Sequence, residues 1–309
     1  MKPIISISSC ILGNKVRYDG GDTYNEWISQ KLQLYFELKA VCPEMEMGLG
    51  SPREPMNLIL DHLQKIQLVT TQTKKNLTAQ AHLTILKIIE QEKTGICGHI
   101  FQQKSPSCGL NQVKLYNAKD ELIITSQNNL GLYALSFTQN FPLIPVIDAI
   151  ELANIESREH FLRRVLAYSR FHLLPFSLTA LLDFHLRYEH ILLEHNQAMT
   201  KQLKTILINT IKDDDHLVFS NYKLLFFQTL CLIPCKNNII DSLNSLVGLL
   251  RLNSSPEEEE LLIKILNEYK NNQTTYKKTI KKFAHIVSNN KKHCALKEHY
   301  LIDPDLTEL

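Results

Sequence analysis

The sequence predicts an α/β N-terminal domain with a mostly parallel, Rossmann-like sheet, followed by an all-α C-terminal domain. Short apolar runs alternate with helical stretches through the first half, and from about residue 157 only helical periodicity remains. The length of 309 residues, at ~100–200 residues per domain, fits two domains. We place them at residues 1–156 and 157–309.

PIISIS opens the chain as a strand and ends in the loop Cys10-Ile11-Leu12-Gly13. WISQKLQLYFEL has helical spacing, and LKAV is a second strand that runs straight into Cys42-Pro43. LTAQAHLTILKIIEQE is amphipathic, with Leu77, Ala81, Ile85, Ile88 and Ile89 on one side. GICGHIFQQ is a third strand leading into KSPSCG; QVKLY is a fourth; GLYALSFTQNF is helical; LIPVID is a further strand. Such alternation with short connections builds a parallel sheet covered by helices. Beyond it, SREHFLRRVLAYSRFHLL, LLDFHLRYEHILLEHNQAMTKQLKTILINTI, YKLLFFQTLCLI, NIIDSLNSLVGLLRL and PEEEELLIKILNEYKNNQTTYKKTIKKFAHIV read as helices. Ser255-Pro256-Glu257 supplies an N-cap, a proline at the first helical position and an acid beside the helix N-terminus.

A hydrophobic share of 44% with 21% charged residues is that of an ordinary globular chain. No apolar run approaches the ~18 residues of a membrane-spanning helix, and the apolar stretch of MKPIISISSC is too short for a signal peptide. The expected location is therefore the cytoplasm. There, seven cysteines are poorly explained by disulfides, which leaves metal ligation, reactivity or plain burial. The net charge of +2 hides a local bias: residues 261–297 hold nine lysines and one acid, Glu268, just after the acidic run Glu257–Glu260. A stretch of this kind is either a solvated helix face or a surface for phosphate.

Cys10, Cys42 and Cys108 share one context. Each follows a strand-like run and is followed by a turn residue. Loops beyond the carboxyl ends of parallel strands converge on one crevice, so three cysteines far apart in sequence can meet there. Three thiolates suit a soft metal centre, zinc or an iron–sulfur cluster, and three ligands on a four-iron cluster leave one iron open. The spacing is neither a Cys-x-x-Cys zinc pattern nor a ferredoxin run, and on spacing alone three partly buried thiols are the favoured reading. Cys97 lies inside a strand-like run and reads as core; Cys231, Cys235 and Cys294 read as structural. Residues 14–21 and 48–54 are loops dense in Gly, Arg and acids, natural places for substrate contacts. Arg17 and Arg53 fit that role, or they pin their loops through ion pairs with Asp19 and Glu54.

The strings ISSCILGNKVRYDGG, AVCPEMEMGLGSPREP and KSPSCG, in this order, resemble the thiouracil desulfidase family over roughly residues 1–155. The second half, with LLDFHLRYEHILLEHNQ, resembles a helical domain often fused to that family. The combination is similar to bacterial transfer-RNA 4-thiouridine desulfidases. The resemblance implies a [4Fe–4S] cluster held by Cys10, Cys42 and Cys108, with catalytic roles for Glu44 and Ser105. Arg17, Asp19 and Arg53 from the loops above and Ser107 beside Cys108 are the expected substrate contacts, and the resemblance implies thiolated transfer RNA as the partner. Where the family often carries a basic residue or histidine after the double glycine, this chain has Asp22-Thr23. The implied chemistry is non-redox: the open iron takes the thiocarbonyl sulfur as a Lewis acid, and water attacks the carbon with Glu44 as general base.

A base in folded RNA must be turned out to react, and something must grip the backbone. Lys277, Lys278, Lys281 and Lys282 lie on successive helical turns and are the expected phosphate contacts, with Arg187. His185 and Tyr188 project to one side of their helix and His190 nearly opposite, either as a contact surface or as satisfied core residues. Two other functions use the same residues. One is a desulfidase of free thiouracil-type bases; the other is a metal- or redox-sensing nucleic-acid-binding protein without turnover.

Overall fold

The computed structural model describes residues 2–117, 119–123, 129–208 and 214–289. Cys294, Lys291, Lys292 and Lys297 lie outside the described residues. The chain divides into two compact units, Met1–Ser169 and Arg170–Leu309. The first is α/β and the second helical, as the sequence predicts.

In the first unit, β1 (Ile4–Ser8) leads through a π turn (Ile28–Leu32) and the short α1 (Gln33–Tyr35) to β2 (Glu37–Val41) and α2 (Pro43–Glu46). Next come β3 (Met56–Leu60), β4 (Ile66–Thr70), α3 (Thr78–Glu92), β5 (Ile96–Phe101), β6 (Leu115–Asn117), β7 (Leu122–Ile123), α4 (Leu132–Asn140), β8 (Val146–Asp148) and α5 (Ile155–His172). One sheet has the order β2-β1-β5-β8 and is parallel throughout. The predicted face of α3 packs on the core: Leu77, Ala81, Ile85, Ile88 and Ile89 are all buried. A fully buried isoleucine contributes about 1.5–3 kcal/mol relative to exposure, so three of them anchor this helix firmly.

A second sheet, absent from the sequence reading, has the order β4-β3-β6-β7. β3 and β4 form an antiparallel hairpin, and β6 joins β3 in parallel. The QVKLY strand therefore belongs to this sheet rather than to the main one. The hairpin turn is held by Asp61, whose Oδ1 accepts from the Leu63 and Lys65 amides at 2.8 and 2.9 Å.

The division between units falls inside α5, later than the expected boundary at 156/157. The physical reason is Gly98. The side chains of Phe161 and Val165 approach the Cα of Gly98 so closely that a β-carbon there would lie 2.7 Å from Val165. The first part of α5 thus covers β5.

The second unit holds α6 (Leu178–His195), α7 (Gln197–Ile208), α8 (Asp215–Cys231), α9 (Lys236–Arg251), α10 (Pro256–Lys270) and α11 (Tyr276–Asn289). Two stretches that read as single helices are broken. Asn196 adopts an extended backbone, and its Oδ1 accepts from the Met199 amide at 2.9 Å, so it ends α6 and caps α7. Residues 271–275 separate α10 from α11, with Asn272 at φ +57°. Ser255 makes a full capping box with Glu258 at the start of α10.

α6 is the central helix, packed against α7, α8 and α9. His185, Tyr188 and His190 are all buried, so this helix has no solvated side at those positions. Two of its buried polar groups are partnered within the unit, while His185 Nε2 and His190 Nδ1 are buried without a hydrogen bond among the described residues. His185 Nδ1 pairs with the Tyr222 hydroxyl at 2.9 Å, and the Tyr276 hydroxyl donates to Glu194 at 2.6 Å. Cys231 and Cys235 are not core residues: they sit exposed at the α8–α9 turn. No single helix among the described residues is long and apolar enough to cross a membrane.

Candidate active site

Cys10, Cys42 and Cys108 follow β1, β2 and β5, three neighbouring strands of the parallel sheet. Chain direction explains the meeting. β2 and β5 lie on opposite sides of β1, so the order reverses there, and loops leaving the carboxyl ends of these strands open a crevice. The three thiols line one cavity of about 560 Å³, together with Glu44, Ser105, Arg17 and Arg53.

Each cysteine is set by a different local device. Cys10 lies in a 3-10 turn (Ser9–Leu12); its carbonyl accepts from the Thr23 amide at 2.9 Å, and the Thr23 hydroxyl donates to Gln102 at 3.0 Å. The unusual Asp22-Thr23 step therefore supports the first cysteine. Cys42 is the N-cap of α2, where Pro43 occupies the first turn. Cys108 sits in a loop whose carbonyls close the start of α4. The amides of Leu132 and Tyr133 donate to the Pro106 and Ser107 carbonyls at 3.0 Å each, and that of Gly131 to Gly109 at 2.7 Å. Helix N-termini carry amides without intrahelical partners, and here the Cys108 loop satisfies them.

This contact leaves no room for side chains. A β-carbon on Gly131 would stand 2.3 Å from the Ser107 carbonyl oxygen, and one on Gly109 would stand 2.6 Å from that of Ser105. Gly131→Ala is therefore expected to cost about 1–3 kcal/mol or more, as overpacking does. Thermal unfolding of the variant checks this; an unchanged midpoint would contradict the fit.

Burial raises all three thiols. Cys42 is pushed up to about 12, first by burial and then by the Glu44 carboxylate. Cys108 is driven well above its ordinary value by burial, then by Glu44 and the other two thiols. Cys10 is raised by burial and Glu44, and lowered by Thr23 and Arg17. The mutual effect of the three on Cys108 places them in one electrostatic neighbourhood. Among the described residues, no three His, Cys, Asp or Glu side chains are close enough to hold a single metal ion. The thiols border a cavity rather than a point.

Glu44 is 6% exposed. Its Oε2 faces the Cys42 thiol at 3.5 Å, and its Oε1 faces the Ser105 hydroxyl at 3.4 Å. Ser105 Oγ accepts from the Ser107 and Cys108 amides at 3.1 Å each. Its lone pairs are thus occupied by the loop, and its proton points to Glu44. Ser105 orients the carboxylate and holds the Cys108 turn.

The other predicted residues divide. Arg17 and Arg53 line the cavity; Asp19 and Ser107 do not. Asp19 is an exposed turn residue that accepts from the Gly21 amide and pairs with Arg17 at 3.4 Å. Ser107 is buried, and its carbonyl serves α4. Arg53 does pin its loop, but through carbonyls: it donates to Val16 and Gly50 at 2.8 Å each, while Glu54 instead accepts from Thr73. Cys97 is buried in β5, away from the cavity lining. In the helical unit, Lys278, Lys281 and Lys282 lie on the exposed side of α11 and Lys277 is half-buried. Lys282 pairs with Glu268, and Arg187 with Asp183 at 2.8 Å. Sequence reading missed Lys104, Lys114, Asn57 and Tyr116, which also line the cavity.

A doubly wound sheet with three thiols and a carboxylate at its switch point defines an α/β unit built around a thiol-lined cavity. Residues 5–149 match the family model described as 2-thiouracil desulfurase, and residues 190–304 match one described as a protein of unknown function, DUF1722. The chain is 32% identical over 113 residues to the uncharacterized protein YbbK of Bacillus subtilis (strain 168), covering 34% of this chain and 73% of that one. Among solved structures it is similar to the [4Fe–4S]-dependent thiouracil desulfidase TudS at 27% identity and a TM-score of 0.38, covering 50% of this chain and 94% of that one. The chain belongs to the 2-thiouracil desulfurase family.

Proposed function

We propose that this chain is an iron–sulfur-dependent, non-redox desulfidase that converts 4-thiouridine in transfer RNA to uridine. The observation that carries the proposal is the convergence of Cys10, Cys42 and Cys108 with Glu44 on one cavity. The donor set fits a [4Fe–4S] cluster. Thiolates are the usual ligands of such clusters, and a body several ångströms wide takes them from around a cavity rather than from around a point. Held by three thiolates, the cluster supplies an open iron, a soft Lewis acid for a thiocarbonyl sulfur.

The chain's own residues supply the rest. Glu44 takes a proton from the water that attacks C4, oriented by Ser105. The carbon–sulfur bond breaks as the water oxygen becomes the new carbonyl; the sulfur leaves as hydrosulfide with the second water proton, the proton on Glu44 passes to solvent, and no electron is transferred. Arg17 and Arg53 offset the negative charge of the thiolates: Arg17 lowers the Cys10 thiol and Arg53 the Cys42 thiol. A reducing cytoplasm keeps such a site loaded.

The helical unit grips the RNA backbone through α11. Reversing the charge of Lys277, Lys278, Lys281 and Lys282 is expected to weaken transfer-RNA binding. If all four meet phosphate, the slope of log K against log salt shrinks by about 3, at roughly 0.7–0.9 per phosphate. Filter binding across a salt series reads this, and an unchanged slope rejects the patch.

The activity is tested by anaerobic incubation of the iron-loaded chain with thiolated transfer RNA, followed by digestion and nucleoside analysis. Loss of 4-thiouridine with gain of uridine is expected. Persistence of 4-thiouridine on a fully loaded chain overturns the proposal.

A further inference from the structure

The cysteines fall into two groups. Among the described residues, Cys10, Cys97 and Cys108 are buried and Cys42 is half-buried, whereas Cys231 and Cys235 are both exposed, and none of them forms a disulfide. The exposed pair belongs to the helical unit.

Local structure keeps these two cysteines together. Cys231 is the last residue of α8 and Cys235 is the N-cap of α9, with only Leu232, Ile233 and Pro234 between them. The chain turns by 118° across this link. Leu232 is extended at φ −70° and ψ 144°, and Pro234 disfavours helical backbone at Ile233. The turn is tied down from α6: His195 Nδ1 donates to the Leu232 carbonyl at 2.5 Å, and the Asn238 side chain donates to the His195 carbonyl at 3.3 Å. Its other side is open, with Ile233 84% exposed. A disulfide needs Cα atoms about 4.4–6.8 Å apart. Four extended peptide steps reach about 13–14 Å at most, and the change of direction folds that span back. So short a link also makes ring closure cheap in entropy.

We infer that Cys231 and Cys235 are a hydroperoxide-reactive pair that closes to an intramolecular disulfide. One thiolate attacks the peroxide; its oxygen–oxygen bond breaks, one oxygen stays on sulfur as a sulfenic acid, and the other leaves as water or alcohol with the thiol proton. The second thiol attacks that sulfur, the sulfur–sulfur bond forms, and water leaves with the second thiol proton. Two electrons pass from the two sulfurs to the peroxide. An accessible thiol beside a second one that resolves it is the arrangement that makes thiol oxidation reversible. Cys97 is the contrast within the same chain: burial raises its thiol, so little thiolate is available there for attack. Closure joins α8 to α9 covalently beside α6, the helix on which both pack. The pair depends neither on the cluster nor on the desulfidase reading.

The test treats the intact chain with a stoichiometric amount of hydrogen peroxide, alkylates the remaining thiols after unfolding, and maps them by mass spectrometry. Trypsin cleaves after Lys223 and Lys236, so both cysteines leave on one peptide, residues 224–236, which holds no other cysteine. That peptide is expected to lack both alkyl groups, to be lighter by two hydrogens, and to take up two alkyl groups after reduction with a dithiol. The Cys97 peptide stays alkylated. In Cys231→Ser and in Cys235→Ser the internal disulfide is lost, and at least one of the two variants accumulates a sulfenic acid that a cyclic diketone traps; that variant retains the attacking thiol. A 224–236 peptide that keeps both alkyl groups, separate oxidation of the two sulfurs without a bond between them, disulfides formed only between chains, or no trapped sulfenic acid in either variant overturns the pair.

Discussion

Replacing Cys108 by serine is expected to strip iron from the purified chain and abolish desulfidase activity. Cys108 is 4% exposed, and its turn is held on both sides, by Ser105 Oγ and by the first amides of α4. Serine matches the shape of cysteine, so the turn survives. The cost is that of a buried hydroxyl, about 1–3 kcal/mol where it lacks a partner. What is lost is a thiolate, for which an alkoxide is no substitute at neutral pH. Cys10→Ser and Cys42→Ser are expected to behave alike, because the three thiols share one cavity. Cys97→Ser is the control. Its sulfur is buried in β5 with the Gly95 carbonyl at 3.6 Å and does not line the cavity. Iron analysis of the four variants reads this, and full iron in Cys108→Ser would contradict the assignment.

Glu44→Gln is expected to give the opposite pattern: iron kept, activity lost. Glutamine preserves size and can still accept from Ser105, but it cannot take a proton from water. General-base catalysis is worth about 10²–10⁴-fold, so kcat is expected to fall by about that factor. The charge of Glu44 also matters for loading. After burial, it is the next cause raising Cys42 and Cys108, and it contributes to Cys10. Metal binds thiolate, so loading improves as pH rises. Removing the carboxylate lowers the thiols, and half-maximal iron loading is expected to move to lower pH. A variant with weak activity, full iron and an acid-shifted loading curve supports the general-base role. Parallel loss of iron and activity would instead make Glu44 a prop for the thiols.

What could be read from the sequence depended on how local each signal was. The face of α3 follows from helical spacing, and the start of α10 from the Ser255-Pro256 step; the reciprocal bond to Glu258 is added by the structure. The three cysteines were legible because each closes a strand-like run, and a parallel sheet sends such ends to one edge. The hairpin Met56–Thr70 was missed although Asp61 marks its turn, because MNLIL and IQLVT lack strict alternation. The breaks at Asn196 and Asn272 lie between stretches whose apolar periodicity runs on, so only the backbone shows them. Lys104 and Lys114 look like solvated lysines in one dimension. Lys104 reaches the cavity from the turn after β5, and Lys114 from a second sheet that no local pattern specifies.

Three thiols on neighbouring strands are proposed to hold one four-iron cluster. Iron and acid-labile sulfide per chain, counted after anaerobic reconstitution, test it most directly. The expected result is about four iron and about four sulfide per chain, lost in Cys10→Ser, Cys42→Ser and Cys108→Ser and kept in Cys97→Ser. A single metal ion per chain, or a full complement in any of the three cavity variants, would contradict it.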